Sequence, residues 1–254
     1  MLNALQRAWA GFQSCSVLRF KILAYHSVAP ISRSRYEIAA ENFEQQMEHL
    51  AAAGYRVVAL QDALRAMQSG SIDSKAVVIT FDDGYKTLVD HAIPGLNRRG
   101  WPATVFVPVA HIGGRYESSE LLSWADMKEA ARGGIAFGSH TMNHRSLLEL
   151  SNEDLRHELV ESRRILASEL GLSFHPLAYP YGYYDRRAAA AAKAAGYDLA
   201  LTFGSILSNT SWTNPFEMKR EQILCSTTLK AFSRKVDVRY DLPRKMWHMI
   251  VPER

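Results

Sequence analysis

The chain has 254 residues, a formal net charge of +4 and a sequence pI near 9.0, with 47% hydrophobic and 22% charged residues. This composition is typical of a soluble globular protein, and no stretch approaches the roughly 20 apolar residues that span a bilayer. The cations are scattered, which excludes the basic, aromatic-interleaved segment of a nucleic-acid-binding protein, and two cysteines are too few for a disulfide framework or a paired-thiolate zinc site.

The first segment, residues 1–19, is predicted to be a helix outside the main domain. Leu2, Leu5, Trp9 and Phe12 recur near helical spacing, whereas polar residues break the apolar core that a signal peptide needs. Two interpretations stay open: the helix packs on the domain, or it lies on a membrane surface. The missing export signal favours a cytoplasmic protein, which would be peripheral to the inner membrane if this helix meets lipid.

From residue 20 onward, strand-like and helix-like runs alternate along one domain, 20–254. The order is strand 20–25, helix 41–55, strand 56–60, helix 61–70, strand 76–81, helix 85–100 broken at Pro94, strand 103–109, helix 118–134, strand 135–139, helix 151–171 with Ser151 as its N-cap, strand 176–180, helix 185–196 and strand 197–203. This alternation predicts an α/β fold with a mainly parallel sheet and helices outside. Seven or eight strands favour closure into a (β/α) barrel, whose functional groups collect at the C-terminal ends of the strands.

Polar groups follow four of the predicted strands at this same end. They are His26, the pair Asp82 and Asp83, His140 with His144 four residues later, and the turn Pro180-Tyr181-Gly182. Each has an ordinary explanation when taken alone, because an aspartate can cap a helix and a histidine beside a strand is usually a hydrogen-bonded core residue. Four groups at one end of a barrel predict a single site.

The residue types at these strand ends suit a metal site. Two imidazoles and one carboxylate bind zinc or a similar ion and leave coordination positions open for water and substrate. His140, His144 and one of the two aspartates would supply that set, and the other aspartate could take a proton from the attacking water. A dication also relieves the repulsion between adjacent carboxylates.

The motifs resemble those of the polysaccharide deacetylases, also known as carbohydrate esterase family 4 or the NodB-homology domain. TFDDG at 80–84 matches the first family motif, and SHTMNH at 139–144 matches the second. The resemblance spans roughly residues 20 to 225. It implies a distorted barrel of seven or eight strands that removes N-acetyl groups from amino sugars and releases acetate.

The resemblance also implies a role for each motif residue. Asp83, His140 and His144 would bind a divalent metal, usually zinc, and Asp82 would be the general base. The loop YPYG is similar to the third motif, so Tyr179, Pro180 and Tyr181 would contact the substrate. The backbone N–H of Tyr181 would help to hold the oxyanion.

Two positions depart from the usual family pattern. Ala178 stands where an arginine normally orients the base, and the late Leu-x-His motif is not evident; His248 has no strand context. A subgroup that includes the poly-N-acetylglucosamine deacetylases has a YHxV strand and a late arginine instead. Tyr25-His26-Ser27-Val28 and Arg220 resemble these two features, so His26 is predicted to be the general acid and Arg220 to orient the base.

Three functions fit these observations. The first is a metal-dependent N-deacetylase that acts on N-acetylhexosamine units of a glycan, an oligosaccharide or a lipid-linked saccharide. The second is an amidohydrolase of the same fold acting on a non-sugar C–N bond, and the third is a non-catalytic carbohydrate-binding relative. The complete motifs favour the first. The loops at 33–41, 115–122 and 204–215 are expected to contact the glycan, and the sequence indicates neither which sugar binds nor the oligomeric state.

Overall fold

A computed structural model describes residues 19–116, 118–204 and 208–241 of the chain. Residues 1–18 of the predicted N-terminal helix, Cys15 and His248 lie outside these residues, and Arg19, the last residue of that prediction, begins a strand instead. Within the described ranges, no helix combines the length and apolarity that a membrane crossing requires.

Thirteen strands are described, of which seven form the barrel. In chain order the strands are β1 (Arg19–Tyr25), β2 (Ser27–Ala29), β3 (Glu37–Ala39), β4 (Arg56–Val57), β5 (Ala76–Phe81), β6 (Ala103–Val107), β7 (Arg115–Tyr116), β8 (Ser119–Glu120), β9 (Ile135–Ser139), β10 (Pro176–Ala178), β11 (Leu199–Phe203), β12 (Asn209–Thr210) and β13 (Met218–Gln222).

A closed ring of parallel strands forms the centre of the molecule. Its order is β1, β5, β6, β9, β10, β11 and β13, and β13 pairs with β1 to complete the ring. The contact between β9 and β10 is short, with the single register pair Leu177↔Ser139, which accounts for the distorted outline of the barrel. The predicted barrel of seven or eight strands is confirmed with seven.

Eight α-helices are described, and several lie between consecutive barrel strands. They are α1 (Ala40–Ala52), α2 (Leu60–Gln68), α3 (Leu88–His91), α4 (Ile93–Arg98), α5 (Trp124–Arg132), α6 (Asn152–Leu170), α7 (Arg186–Ala194) and α8 (Leu229–Val236). Ser151 caps α6 as predicted, because its side chain accepts a hydrogen bond from the N–H of Asp154. The predicted break near Pro94 separates α3 from α4.

Two predicted elements are wrong in extent. The helix predicted over 118–134 begins only at Trp124, because Ser123 and Asp126 form a capping box that fixes its start. The residues before it form the antiparallel pair β7 and β8. The strand predicted over 56–60 is reduced to β4, which pairs with the first residues of β5 outside the ring.

The seventh strand of the ring is β13, whose sequence MKREQ carries three charged residues. Arg220 is buried within the barrel, and Glu221 is buried between Lys21 and Lys235, at 3.3 and 3.2 Å. This strand does not alternate apolar and polar residues, because its buried positions hold charges that are neutralised by partners. Hydrophobic periodicity therefore fails to identify it.

Three clusters of buried apolar residues support the barrel. The largest fills the space between the strands and the helices α1, α4 and α5, with aromatic contacts among Tyr25, Phe43 and Phe81. A second cluster includes Phe106 and Leu201, and a third lies under α6 and α7. Burial of these side chains fixes the strands, and the strands in turn fix where their polar C-terminal ends converge.

Candidate active site

The two aspartates follow β5 at the C-terminal end of the ring. The N–H of Asp82 donates to the carbonyl of Tyr25 at 2.9 Å, so the pairing of β1 and β5 continues to the site. Asp83 has φ 67°, and Gly84, at φ 68°, packs so closely that a Cβ there would lie 2.6 Å from Val107. This sharp turn directs the two carboxylates differently, and only glycine fits its last position.

Asp83, His140 and His144 bring three ligand atoms together. Asp83 Oδ1 lies 3.7 Å from His140 Nε2 and 3.4 Å from His144 Nε2, and all three atoms lie within 4.8 Å of one another. Bonds of about 2.0–2.1 Å at tetrahedral angles separate two zinc ligands by about 3.4 Å. All three side chains are buried, so their donor atoms and spacing fit a small divalent cation.

Hydrogen bonds to the other ring nitrogens orient both histidines. His140 Nδ1 lies 2.7 Å from the carbonyl oxygen of Ala178. Because a carbonyl can only accept, Nδ1 carries the proton and Nε2 presents its lone pair to the cluster. His144 Nδ1 lies 2.8 Å from the hydroxyl of Tyr116, which belongs to the β7–β8 hairpin. Burial lowers the pKa of His144 to about 3 and also lowers that of His140, which keeps both rings neutral as metal ligation requires.

Asp82 is paired closely with Arg220, and its Oδ2 lies 4.0 Å from His140 Nε2. The guanidinium Nη1 and Nη2 donate to Oδ1 and Oδ2 of Asp82 at 2.5 and 2.8 Å, and both side chains are at most 1% exposed. Burial raises the pKa of Asp82, but the charge and hydrogen bonds of Arg220 outweigh it and lower the pKa to about 2. Arg220 also lies over the ring of Phe203, at 4.8 Å. The structure thus gives the two adjacent carboxylates different partners.

His26 lies at the end of β1, on the same cavity as Asp82. Its ring packs against that of Tyr36 with 4.7 Å between the centroids, and its Nδ1 is buried with no hydrogen-bond partner in the described structure. Burial lowers the pKa of His26 to about 4, while the charge of Asp82 acts in the opposite direction. The imidazole is therefore neutral near pH 7 and available to exchange a proton.

These groups line one cavity of about 330 Å³. The predicted residues that line it are His26, Asp82, Asp83, His140, His144 and Tyr181, and Tyr36, Tyr85, Tyr116, Tyr183, Phe203 and Gln222 complete the lining. Tyr181 and Tyr183 are about half exposed, at 50% and 58%. A cavity with metal-ligating and titratable groups at its base and aromatic rings at its rim suits a sugar, whose apolar ring faces stack on aromatic side chains.

Two residues predicted to contact substrate do not reach this cavity with their side chains. Tyr179 is fully buried, donates its hydroxyl to the carbonyl of Phe216 at 3.0 Å and stacks on Tyr184. Pro180 is buried in the turn that follows β10. Both side chains pack in the core and stabilise the turn that contains Tyr181. They therefore support the site but do not form its surface.

All four non-glycine residues with positive φ in the described ranges lie at this site. They are Asp83, Thr141, His144 and Tyr181, with φ between 58° and 68°. A β-branched or bulky residue rarely adopts this conformation, and such strain concentrates at functional sites.

The sequence interpretation missed several cavity residues. Tyr36 and Tyr116 fall within the loops predicted at 33–41 and 115–122, but Tyr85, Tyr183 and Phe203 were not predicted. The only signal for Tyr183 is its place in the aromatic run YPYGYY. The described part of the loop at 204–215 lines a separate cavity beside Arg19 and Lys219, so there it does not border the site.

Three comparisons bear on this geometry. The sequence profile of the family described as polysaccharide deacetylase matches residues 69–200, about half of the chain. YxkH of Bacillus subtilis, which carries the name polysaccharide deacetylase, is 31% identical to this chain. The match covers 72% of this chain and 64% of YxkH. A poly-β-1,6-N-acetyl-D-glucosamine N-deacetylase of Staphylococcus aureus is 26% identical over 69% and 65% of the two chains. This chain therefore spans slightly less than two thirds of these curated relatives.

Solved structures give the same result for the fold. IcaB from Ammonifex degensii superposes with a TM-score of 0.77 at 26% identity, over 86% of this chain and 97% of that one. The Streptococcus pyogenes deacetylase PplD, solved in complex with acetate, superposes with a TM-score of 0.79 at 23% identity, over 87% and 99%. Together with the TFDDG and SHTMNH segments at the ends of β5 and β9, the profile match shows that this chain belongs to the polysaccharide deacetylase family.

Proposed function

We propose that this protein hydrolyses the N-acetyl groups of N-acetylhexosamine units in an oligosaccharide or glycan and releases acetate. The observation that carries the proposal is that the two adjacent carboxylates have different partners. Asp83 faces two histidine Nε2 atoms, and Asp82 is held by Arg220 on the same cavity. The printed activity of the S. aureus relative supports the choice of an N-acetylated amino sugar.

Asp83, His140 and His144 would hold one divalent cation, zinc or a similar transition metal. When bound there, such an ion would lower the pKa of a water molecule and polarise the acetyl carbonyl. The contacts of His140 with Ala178 and of His144 with Tyr116 orient the two imidazole rings without a bound ion. Three protein ligands leave room for the water and the substrate oxygen.

Asp82 would act as the general base. Its carboxylate, with a pKa of about 2, is ionised throughout the neutral range, and the bidentate contact with Arg220 fixes its orientation. It would accept a proton from the attacking water as the oxygen of that water bonds to the acetyl carbon. The N–H of Tyr181, in the turn held by Tyr179 and Pro180, would donate to the oxyanion that develops on the acetyl oxygen.

His26 would deliver a proton to the leaving nitrogen. An amine is a poor leaving group unless it is protonated as the C–N bond breaks. The resting imidazole is neutral, because burial lowers its pKa to about 4. It would therefore receive the proton that Asp82 takes from water, and the negative charge that this transfer restores to Asp82 favours the protonated ring. The proton lost by water then ends on the amine, and acetate is the second product.

The cavities next to the site favour an extended saccharide over a single sugar. A cavity of about 720 Å³ shares Tyr116, His144, Tyr181 and Tyr183 with the catalytic one, and another of about 610 Å³ shares Tyr85 with it. An acetylated sugar in the catalytic cavity would thus have room for neighbouring sugars in the cavities that adjoin it. Aromatic rings border the passage to the larger cavity.

Acetate release across a substrate panel tests the proposal. The panel contains N-acetylglucosamine, its β-1,4- and β-1,6-linked oligomers of increasing length and a non-sugar acetamide. We expect release from the oligomers to exceed release from the monosaccharide, and about one bound divalent ion per chain. Unchanged activity after exhaustive chelation would refute the metal-dependent mechanism. Activity confined to the non-sugar amide would instead support the alternative amidohydrolase, and binding of oligomers without release would support a non-catalytic role.

A further inference from the structure

The buried face of α6 contains a carboxylate where the helix would otherwise present an apolar residue. Leu155, Leu159 and Leu166 are buried on this face, and Glu158 lies among them with 1% exposure. A carboxylate is almost never fully buried unless its oxygens have polar partners. No ion pair to Glu158 is found in the described residues, so its partners must be hydrogen-bond donors.

Those donors belong to the turn between the two histidine ligands. Glu158 Oε2 accepts from the backbone N–H of Met142 at 2.9 Å and from that of Asn143 at 2.8 Å. Glu158 Oε1 accepts from the side-chain amide of Asn143 at 2.9 Å. One buried carboxylate therefore binds both residues that separate Thr141 from His144.

This turn has a strained backbone that requires such support. Thr141 and His144 have φ of 68° and 58°, and left-handed conformation is unusual for a β-branched residue such as threonine. The carbonyls of Thr141 and Met142 accept from the N–H groups of Val109 and Ala110. The loop after β6 thus holds the carbonyls of the turn, and Glu158 holds its N–H groups.

We propose that Glu158 is the positioning residue that sets the metal affinity of this protein, by fixing the turn that presents His144 Nε2 to the ion. The inference rests on the proposed metal site. Its physical basis is that a carboxylate offers two acceptor oxygens to three N–H donors. A glutamine of the same shape offers one oxygen, and its amide group would face the remaining donors. The turn would then lose hydrogen bonds on one side and relax from its strained conformation.

The test measures zinc affinity directly, by competition with a chromophoric chelator, on the full chain. We expect Glu158→Gln to lower zinc affinity by about 10- to 100-fold, the usual effect of losing a residue that orients a ligand. The matched control is Glu161→Gln, one turn along the same helix, where the side chain pairs with Arg164 at the surface. The control should retain its affinity, since exposed ion pairs contribute little.

A cobalt(II) spectrum separates positioning from general destabilisation. The visible absorption of bound cobalt reports the geometry of its ligands, so Glu158→Gln should shift or weaken that absorption while Glu161→Gln leaves it unchanged. Asn143→Ala provides a second variant, because it removes a single contact from an exposed residue and leaves the helix intact. It should lower zinc affinity by a smaller factor, and it decides the question if Glu158→Gln fails to fold.

The outcomes distinguish this inference from the proposed function. If the unsubstituted protein binds no divalent ion, the proposed metal site is wrong. If it binds zinc and both Glu158→Gln and Asn143→Ala bind with unchanged affinity and cobalt spectrum, the metal site stands and the role of Glu158 is refuted. Equal losses of affinity in Glu158→Gln and Glu161→Gln would also refute it, since the effect would then be one of helix charge.

Discussion

Arg220 and Asp82 form a buried, bidentate ion pair between residues 138 positions apart, with N–O distances of 2.5 and 2.8 Å. Arg220 comes from β13 and Asp82 follows β5, and both strands flank β1 in the ring. The arginine thus holds the carboxylate from within the barrel. The position and the charge of Arg220 should therefore affect both the pKa of Asp82 and the free energy of unfolding.

Replacement of Arg220 should raise the pKa of Asp82. Burial raises this pKa, and Arg220 is the largest of the groups that lower it, so in Arg220→Ala the acid limb of the pH–activity profile should move upward by at least about one pH unit. An unpaired buried carboxylate should also reduce the free energy of unfolding by about 3–5 kcal/mol. Arg220→Lys keeps a positive charge and should show a smaller shift. An unshifted acid limb in Arg220→Ala, measured on protein with full metal content, would contradict the assignment.

The two adjacent aspartates should respond differently to the same substitution. Asp82→Asn should retain metal while activity falls by about two to four orders of magnitude, the usual contribution of a positioned base. Asp83→Asn should lose metal and activity together, as should His140→Ala and His144→Ala. Metal content by elemental analysis, with acetate release on the same samples, makes the comparison. Equal metal loss in the two asparagine variants would reverse the assigned roles.

His26→Ala should separate amide from ester hydrolysis. The variant should keep its metal and fold but lose most turnover of acetamide substrates, whose nitrogen needs a proton. An activated acetate ester has a leaving group that needs none and should be affected far less. Equal losses on both substrates would show that His26 is not the proton donor. His111, which packs on Tyr116 beside the cavity, should then be tested.

The metal-free protein should become less stable as the pH falls from about 6.5 to 4. Burial lowers the pKa of His26 from 6.5 to about 4 and that of His144 to about 3. The unfolded chain therefore binds protons in this range and the folded chain does not, so stability is full above pH 6.5 and decreases below it. At about 1.4 kcal/mol per pH unit, the contribution of His26 is on the order of 3 kcal/mol.

Denaturant unfolding of the metal-free protein at a series of pH values measures this effect. His26→Gln should flatten the dependence, while His157→Gln, on the exposed side of α6, should leave it as it is. A stability that is independent of pH between 4 and 6.5 would contradict the buried, neutral state of His26.

Residues 1–16 offer a test of membrane contact. If Leu2, Leu5, Trp9 and Phe12 face lipid, removal of residues 1–16 should release the protein from anionic vesicles and leave the melting temperature unchanged. A cytoplasmic enzyme acting on a lipid-linked saccharide would meet its substrate at such a surface, which is the localisation we propose. Unfolding of the truncated chain would support packing of this segment on the domain instead.

The sequence predicted which side chains converge on one cavity better than it predicted which strands form the ring. His26, Asp82, Asp83, His140 and His144 each follow an apolar run at a strand end, and parallel strands bring such ends together. The same argument misidentified a ring strand, because residues 56–60 have the apolar pattern of a strand and β13 does not. In β13 the partners of Arg220 and Glu221 determine the structure, and those partners are distant in sequence.

Side-chain directions in the loops could not be predicted either. Tyr179 and Tyr181 are two residues apart in one turn, yet the first is buried and the second is half exposed. Tyr181 also has a positive φ, and no local pattern in the sequence requires a tyrosine to adopt it. The role of Glu158 shows the same limit, since a glutamate in a helix is usually a surface residue.

Closure of the ring also determines when Asp82 can meet Arg220. The strand that carries Arg220 is the last of the seven to be synthesised, and it pairs with the first, which leads into His26. A nascent chain that ends before β13 contains Asp83, His140 and His144 but lacks Arg220, the partner of Asp82. Contacts between such distant segments form late in folding because they close long loops. The buried pair of Asp82 and Arg220 can therefore form only once the final strand of the ring is present.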